Sequence, residues 1–183
     1  MELRKIDALS DPALLHKIKK LYISAFPKDE RLPWFVLRLS ALRKGIDLHA
    51  FLDGDTFCGF TYSVTRHGLH FLLFFAVEES LRSRGYGSAI LSALKQEHKT
   101  LVLNIEPLNP DAPDFPQRQN RYRFYRRNGF YDTGCHVEEK DGIFRVLSTA
   151  PEVDTFAYRK LLRHLTLGLW KEKVLERDGA LYE

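Results

Sequence analysis

A turn rich in arginine and glycine follows a strongly apolar stretch of the chain. The apolar stretch is Phe71–Val77 (FLLFFAV). After four intervening residues comes Arg82-Ser83-Arg84-Gly85-Tyr86-Gly87, just before an amphipathic pattern that predicts a helix. The first turn of a helix has unpaired N–H groups and a partial positive charge, and glycine lets an anion approach the backbone closely. We therefore expect this turn to bind a phosphate-like anion.

Simpler interpretations of the same residues exist. Gly85 and Gly87 could serve only to make a tight turn. A dinucleotide fingerprint is not matched, because Ile90 stands where glycine or alanine is required, and a phosphate-binding P-loop is not matched, because no Gly-Lys-Ser/Thr follows. The histidines show no ligand spacing, so no metal site is predicted.

The surrounding pattern predicts the elements that position this turn. A short strand at 2–6 precedes two helices, at 11–26 and from 33 to a stop at Gly45, and a meander of strands follows at 48–52, 56–65 and 71–77. The helix after Gly87 leads into a strand at 101–105, which makes a βαβ crossover with two parallel strands. A proline-rich loop then precedes further elements, which are a short helix at 118–127, strands at 130–138 and 143–149 with a turn at 140–142, and a helix at 154–170.

Composition limits the classes of protein to consider. The 183 residues suit one domain with one core, and no apolar run approaches the roughly 20 residues of a membrane span or follows the start as in a secretory signal. We therefore expect a cytoplasmic protein without a membrane partner, in which Cys58 and Cys135 are reduced core residues. The net charge of +4 leaves nucleic-acid binding as a weak alternative, because the basic residues are spread along the chain and cluster only near 118–127. That arginine-rich helix is interpreted as a solvated face.

Two motifs in this order resemble a known family. Phe75-Ala76-Val77 followed by Arg82-x-x-Gly85-x-Gly87-Ser88 is similar to motif A of the GNAT superfamily of acyl-CoA-dependent N-acetyltransferases. About 40 residues later, Phe124-Tyr125-Arg126-Arg127-Asn128-Gly129-Phe130 is similar to its motif B. The order of predicted elements also follows the family, so the resemblance covers roughly residues 1–150.

The resemblance implies an α+β fold and a site. The expected fold has three layers, α/β/α, with a mixed and mostly antiparallel central sheet, one parallel βαβ crossover, helices on both faces and an extra C-terminal helix. Acetyl-CoA is the implied co-substrate, with its pantetheine arm on one set of residues and its pyrophosphate on another. The first set is Phe75, Ala76 and Val77, and the second is Arg82, Ser83, Arg84, Gly85, Tyr86, Gly87 and Ser88.

The implied chemistry is transfer of an acetyl group from acetyl-CoA to a primary amine by direct attack in a ternary complex. Tyr125 matches the family's general acid, since a phenol is protonated at pH 7 and can donate to the departing sulfur. Glu106, at a strand end near the predicted cleft, is the best local candidate for the base. One branch of the family has a catalytic Glu in the motif A strand, which Phe71–Val77 lacks, so the base stays open, and both residues also have structural alternatives in core packing and a solvated strand end.

The acceptor and the assembly are less constrained. Acidic residues Asp29, Glu30 and Glu106 favour a small or amino-acid-like amine as the acceptor, and a non-catalytic acyl-CoA-binding regulatory module is the alternative function. We expect an acetyltransferase domain at 1–150 and a C-terminal helical extension at 151–183. The apolar face of that extension would pack on the same domain or on a partner subunit, which would make a homodimer.

Overall fold

The structure is a computed structural model that describes residues 2–139, 142–167 and 173–175. It comprises two compact units, Met1–Thr65 with Leu72–Gln96 and Arg66–Phe71 with Glu97–Glu183. The predicted turn at Lys140 and Asp141 and the predicted helical residues 168–170 lie outside the described residues.

The first unit has four neighbouring strands in chain order. They are β1 (Leu3–Asp7), β2 (Ile46–Asp53), β3 (Thr56–Arg66) and β4 (Leu69–Val77), and the first residues of β4 belong to the second unit. Strands β1 and β2, and β2 and β3, pair antiparallel, and Gly54 turns the chain between β2 and β3 with φ of 58°. This is the predicted meander.

Three α-helices belong to the first unit: α1 (Pro12–Ala25), α2 (Trp34–Ser40) and, apart from its last residue, α3 (Tyr86–Glu97). Asp11 caps α1 by accepting hydrogen bonds from the N–H groups of Ala13 and Leu14, at 2.8 and 3.1 Å. The ring of Tyr22 on α1 contacts four other aromatic rings, those of Phe26, Trp34, Phe60 and Phe74. These contacts fasten the helices to the buried side chains of β3 and β4.

Helix α2 differs from its prediction. It ends at Ser40 rather than continuing to Gly45, and Leu42, in the turn after it, is 71% exposed. The buried positions of this segment are Leu37 and Ala41.

The second unit begins with the parallel pair. The start of β4 pairs with β5 (Leu101–Ile105) through His70 with Leu101 and Phe71 with Val102. The strand order continues from β5 to β7 (Gly142–Ser148), β6 (Tyr131–Glu139) and β8 (Lys173–Leu175), and each of these pairs is antiparallel. The sheet is therefore mixed and mostly antiparallel, as predicted.

The described part of the second unit also contains the helices α4 (Phe115–Arg127) and α5 (Thr155–Leu165). Helix α4 starts three residues before its predicted beginning at Arg118. Pro116 lies in its first turn, where a backbone N–H has no partner within the helix, so the lack of an N–H in proline costs no hydrogen bond. Helix α5 buries Tyr158, whose ring contacts Phe71 and whose hydroxyl donates to Asn104 Oδ1 at 2.7 Å. The apolar face of α5 is therefore covered within the second unit.

Strand β8 was not predicted from the sequence. It has three residues, and it is recognised as a strand only through its antiparallel pairing with β6. Among the described residues, no helix combines the length and the apolar character needed to cross a membrane.

Candidate active site

The end of β4 comes unusually close to β3. A Cβ atom on Gly59 would overlap the carbonyl oxygen of Ala76 and lie 3.1 Å from Val77 Cα, so only glycine fits at this position of β3. The N–H of Glu78 donates to the Cys58 carbonyl at 2.9 Å and continues the contact. The segment Phe75–Val77 is thereby held by backbone on one side, with Ala76 buried.

Arg82 is folded back over the strand end. Its Nε donates to the carbonyl of Val77 at 3.4 Å across a short 3₁₀ turn at Glu79–Leu81. The predicted pantetheine and pyrophosphate residues are therefore connected directly by a hydrogen bond. Arg82 fixes the geometry of the turn as well as adding positive charge to it.

The turn before α3 has the geometry of an anion site. Ser83 and Gly85 both have positive φ, 62° and 87°, and residues 82–85 are exposed. The N–H of Ala89 donates to the Gly85 carbonyl at 3.0 Å, which is the first turn of α3. The N–H groups of Tyr86, Gly87 and Ser88 thus precede the helical ladder at the positive end of the helix. Their arrangement suits a phosphate oxygen.

The side chain of Tyr86 has a structural partner. Its hydroxyl donates to Asp53 Oδ2 at 2.9 Å, and Asp53 Oδ1 accepts from the Glu2 N–H at 2.8 Å. The hydrogen bonds from the Glu2 backbone and then from Tyr86 lower the pKa of Asp53, and the same bond to Asp53 raises the pKa of Tyr86. Tyr86 therefore ties the start of α3 to the end of β2 through its hydroxyl, and its backbone N–H is what it contributes to the turn.

Tyr125 lies near the end of α4 in contact with two other aromatic rings. The centroids of Phe124 and Phe130 are 5.3 and 5.5 Å from its ring centroid, both at steep angles. Desolvation of the phenol by surrounding protein atoms raises the pKa of Tyr125 to about 12. The charge of Arg121 acts to lower this pKa, and the charge of Glu106 acts to raise it. The phenol therefore keeps its proton at neutral pH, which a general acid requires.

Glu106 follows the last residue of β5 and forms an ion pair with Arg121. Arg121 also lies 3.8 Å from Asp114 Oδ2, and Arg118 binds Asp114 Oδ1 at 2.7 Å and the Pro107 carbonyl at 3.3 Å. This chain of charges fastens the proline-rich loop to α4. Glu106 is thus a carboxylate with a counter-ion rather than a solvated strand end.

The predicted site residues form two groups. The strand end and the turn, 75–77 and 82–88, are brought together in the first unit, and Tyr125 and Glu106 are brought together around Arg121 in the second. Three contributing residues were missed: Gly59, Asp53 and Arg121. A glycine in the middle of an apolar strand was a usable signal for Gly59, and the four-residue spacing before Tyr125 was one for Arg121, whereas nothing in the local pattern indicated Asp53.

Residues 47–132 match the family model described as an acetyltransferase (GNAT) domain. This segment contains the turn, Glu106, Arg121 and Tyr125. The comparison with curated proteins found no match.

Solved structures with the same fold support the match. A GNAT-family protein from Bacteroides thetaiotaomicron superposes with a TM-score of 0.70 at 22% identity, over 92% of this chain and 97% of its own. An aminoglycoside 6'-N-acetyltransferase complexed with coenzyme A gives 0.65 at 18% identity, over 84% of this chain and 100% of its own. The ribosomal-protein-S18-alanine N-acetyltransferase from Escherichia coli gives 0.58 at 15% identity, over 83% of this chain and 94% of its own.

These likenesses, at 15–22% identity, show the fold alone. The mixed sheet, in which β4 and β5 pair in parallel, and its flanking helices make the fold that the two motifs predicted. The segment 47–132 is similar to the acetyltransferase (GNAT) domain.

Proposed function

We propose that the protein transfers an acetyl group from acetyl-CoA to a primary amine by direct attack within a ternary complex. The observation that supports the proposal is the presence, in one matched domain, of an exposed helix start after a buried strand end and of a tyrosine whose raised pKa keeps it protonated. The printed description of one similar structure names coenzyme A as its ligand, which supports acetyl-CoA as the co-substrate here.

Acetyl-CoA would bind along the first unit's site. The pyrophosphate accepts hydrogen bonds from the N–H groups of residues 84–88, with Arg82 and Arg84 adding charge, and the main chain of Phe75–Val77 holds the pantetheine arm and the thioester. Ser83 and Gly85 contribute the positive φ values that open the turn. No further protein cofactor is needed, because the thioester is already activated.

The chemistry needs one base and one acid. The amine nitrogen attacks the thioester carbonyl carbon, a C–N bond forms, and the C–S bond breaks as the tetrahedral intermediate collapses. Glu106 accepts the proton that the amine loses, through a water molecule, with Arg121 as its counter-ion. Tyr125 donates its hydroxyl proton to the departing thiolate. After turnover the proton held by Glu106 returns through water to the Tyr125 phenolate, which restores both groups.

The acceptor is proposed to be a small or amino-acid-like amine. Asp29 and Glu30, in the exposed connection between α1 and α2, supply negative charge for a cationic substrate, together with Glu106. The descriptions of two similar structures name acceptors as different as an aminoglycoside and a protein alanine, so the fold does not select the acceptor.

The assembly and location remain predictions. We propose a cytoplasmic location, an acetyltransferase domain at 1–150 and a C-terminal extension at 151–183. A homodimer is the assembly to test, and sedimentation of a monomer at working concentration would contradict it.

The direct test is release of free CoA thiol from acetyl-CoA in the presence of a broad panel of amines. Turnover with one class of amine, together with mass-spectrometric detection of the acetylated product, supports the transferase. The alternative is a non-catalytic acyl-CoA-binding regulatory module, and it predicts saturable CoA binding by calorimetry with no thiol release for any amine. The presence of Tyr125, whose raised pKa of about 12 keeps the phenol protonated, favours the enzyme over the binding module.

A further inference from the structure

The segment that contains α1, α2 and the turn after α2 holds the whole positive excess of the chain. Residues 11–45 contain eight Lys or Arg and three Asp or Glu, a net charge of +5, whereas the whole chain carries +4. The remainder of the chain is therefore close to neutral. A partner that recognises the protein by charge would approach this segment.

Helix α2 in that segment is apolar on two sides. Trp34, Leu37 and Ala41 face the core, where Leu37 is fully buried and Trp34 contacts the ring of Tyr22. The opposite side carries what we call the α2 apolar face, which consists of Phe35, Leu39 and Leu42. These three residues follow each other at steps of four and three, so they lie on one side of the helix and the turn after it.

The α2 apolar face is open to solvent. Phe35, Leu39 and Leu42 are 65%, 62% and 71% exposed. The outer side of a surface helix is ordinarily polar. An apolar outer side on a helix whose inner side is already packed therefore indicates a binding surface.

The charges beside the face select the kind of cover. Arg38, Arg43 and Lys44 lie within the same stretch of 13 residues, 33–45, which contains no Asp or Glu. A second copy docked by two-fold symmetry would bring this positive surface against itself, which is unfavourable. The complementary partner is therefore negatively charged and also has an apolar region that can bury the three side chains.

An anionic lipid surface meets both conditions. A helix lying in the interface inserts Phe and Leu side chains below the headgroups while its Lys and Arg residues attract acidic lipids. A protein partner would need roughly 20–30 residues on each side for a stable interface, far more than three apolar side chains offer. Nucleic acid would supply the charge but nothing to cover Leu39 and Leu42.

We propose that the α2 apolar face and the basic residues of the same segment bind the protein peripherally to membranes containing anionic lipid. The sequence-based expectation of no membrane partner rested on the lack of a spanning segment, and interfacial binding requires none. This proposal is independent of the catalytic one.

The test is flotation with vesicles of phosphatidylcholine alone and of phosphatidylcholine mixed with phosphatidylglycerol. We expect the unaltered protein to float with the mixed vesicles, much less with the neutral ones, and progressively less as salt is added. The variant Phe35→Ser/Leu39→Ser/Leu42→Ser should lose at least about tenfold in vesicle partitioning, because insertion depends on apolar area. The variant Arg38→Gln/Lys44→Gln, which removes two of the basic residues of 33–45, should lose most of the preference for anionic lipid.

A matched control and two contrary results make the test decisive. Phe156→Ser removes a side chain that is 64% exposed in the second unit, and it should leave vesicle partitioning unchanged. Equal flotation of the triple serine variant and the unaltered protein would overturn the proposal. So would sedimentation showing that the unaltered protein is a dimer and the serine variant a monomer, because the face would then bind a second copy.

Discussion

The guanidinium of Arg121 is paired with the carboxylate of Glu106. The pair connects the end of β5 to α4 one helical turn before Tyr125, and both charges act on the pKa of that phenol in opposite directions. The proposed acid and the proposed base are therefore electrostatically linked through a single arginine. This relationship allows the role of each residue to be tested separately.

Replacing Tyr125 by Phe should lower kcat by about 100-fold while KM for acetyl-CoA changes little, because loss of a general acid affects the departure of the thiolate rather than binding. Steady-state kinetics with the best amine of the panel provides the measurement. Tyr122→Phe is the matched control, since Tyr122 lies on the same helix and its ring lies beneath Arg145, a contact that Phe preserves. Equal kinetics for the Tyr125 variant and the unaltered protein would remove Tyr125 from the mechanism.

Glu106→Gln and Arg121→Gln both break the ion pair but should differ in their effect on catalysis. If Glu106 accepts the amine proton, its Gln variant should lose about 100-fold in kcat/KM for the amine. Arg121→Gln leaves the carboxylate in place, so its loss in kcat/KM should be smaller. Identical losses in the two variants would mean that Glu106 only holds α4 in position.

Stability should fall at high pH because three phenols, of buried Tyr22 and Tyr62 and half-buried Tyr125, are shielded from water. An unfolded tyrosine loses its proton near pH 10, whereas Tyr125, Tyr22 and Tyr62 keep theirs until a pKa of about 12 because burial disfavours the phenolate. Since the folded-state pKa is raised, the contribution to stability is fully present below pH 10 and is lost as the pH rises through about 12. Urea unfolding at pH 9 and pH 11 should show this decline, and it should be smaller in Tyr125→Phe. A decline of the same size in that variant would show that Tyr125 does not share in the effect.

Ser88→Asp separates the stability of α3 from its binding of phosphate. A carboxylate in the first turn favours a helix by about 0.3–1 kcal/mol, so the melting temperature should stay the same or rise. The same charge repels a pyrophosphate, so KM for acetyl-CoA should rise by at least about tenfold. Ser92→Asp, one turn further along α3 and also exposed, should leave KM unchanged. If both variants leave KM unchanged, the start of α3 does not hold the pyrophosphate.

Local patterns predicted the elements whose start and end are marked by neighbouring residues in the sequence. Strand β5 was predicted with its observed bounds, because an apolar run is closed by polar and proline residues, and α1 was predicted from its Asp11-Pro12 start. Helix α4 was predicted too short because Pro116 was interpreted as a helix breaker, although the first turn of a helix tolerates proline. Strand β8 depends on its pairing with β6, which no local pattern encodes.

The site divides in the same way. The turn at 82–88 was identified because glycine spacing and the preceding apolar strand lie next to each other in sequence. The Arg121 pair was missed because its partner is 15 residues away on another element, and an arginine-rich helix with no apolar face is typical of a solvated surface. Exposure of the α2 apolar face was likewise hidden, because the pattern of α2 does not distinguish which of its two apolar sides is buried.

Gly59→Ala should disturb both folding and binding through a single added carbon. The new Cβ would overlap the Ala76 carbonyl oxygen, which is main chain and cannot rotate away, so β3 and the end of β4 must separate. We expect a loss of about 1–3 kcal/mol in the free energy of unfolding, measured by urea denaturation. We also expect KM for acetyl-CoA to rise, because the displaced residues Phe75–Val77 are those proposed to hold the pantetheine arm. Gly54→Ala is the comparison, since it has open space around it and introduces only the strain of a positive φ in the β2–β3 turn, so it should reduce stability without changing KM. A Gly59 variant that is destabilised but binds acetyl-CoA normally would show that the close approach of the two strands serves the fold alone.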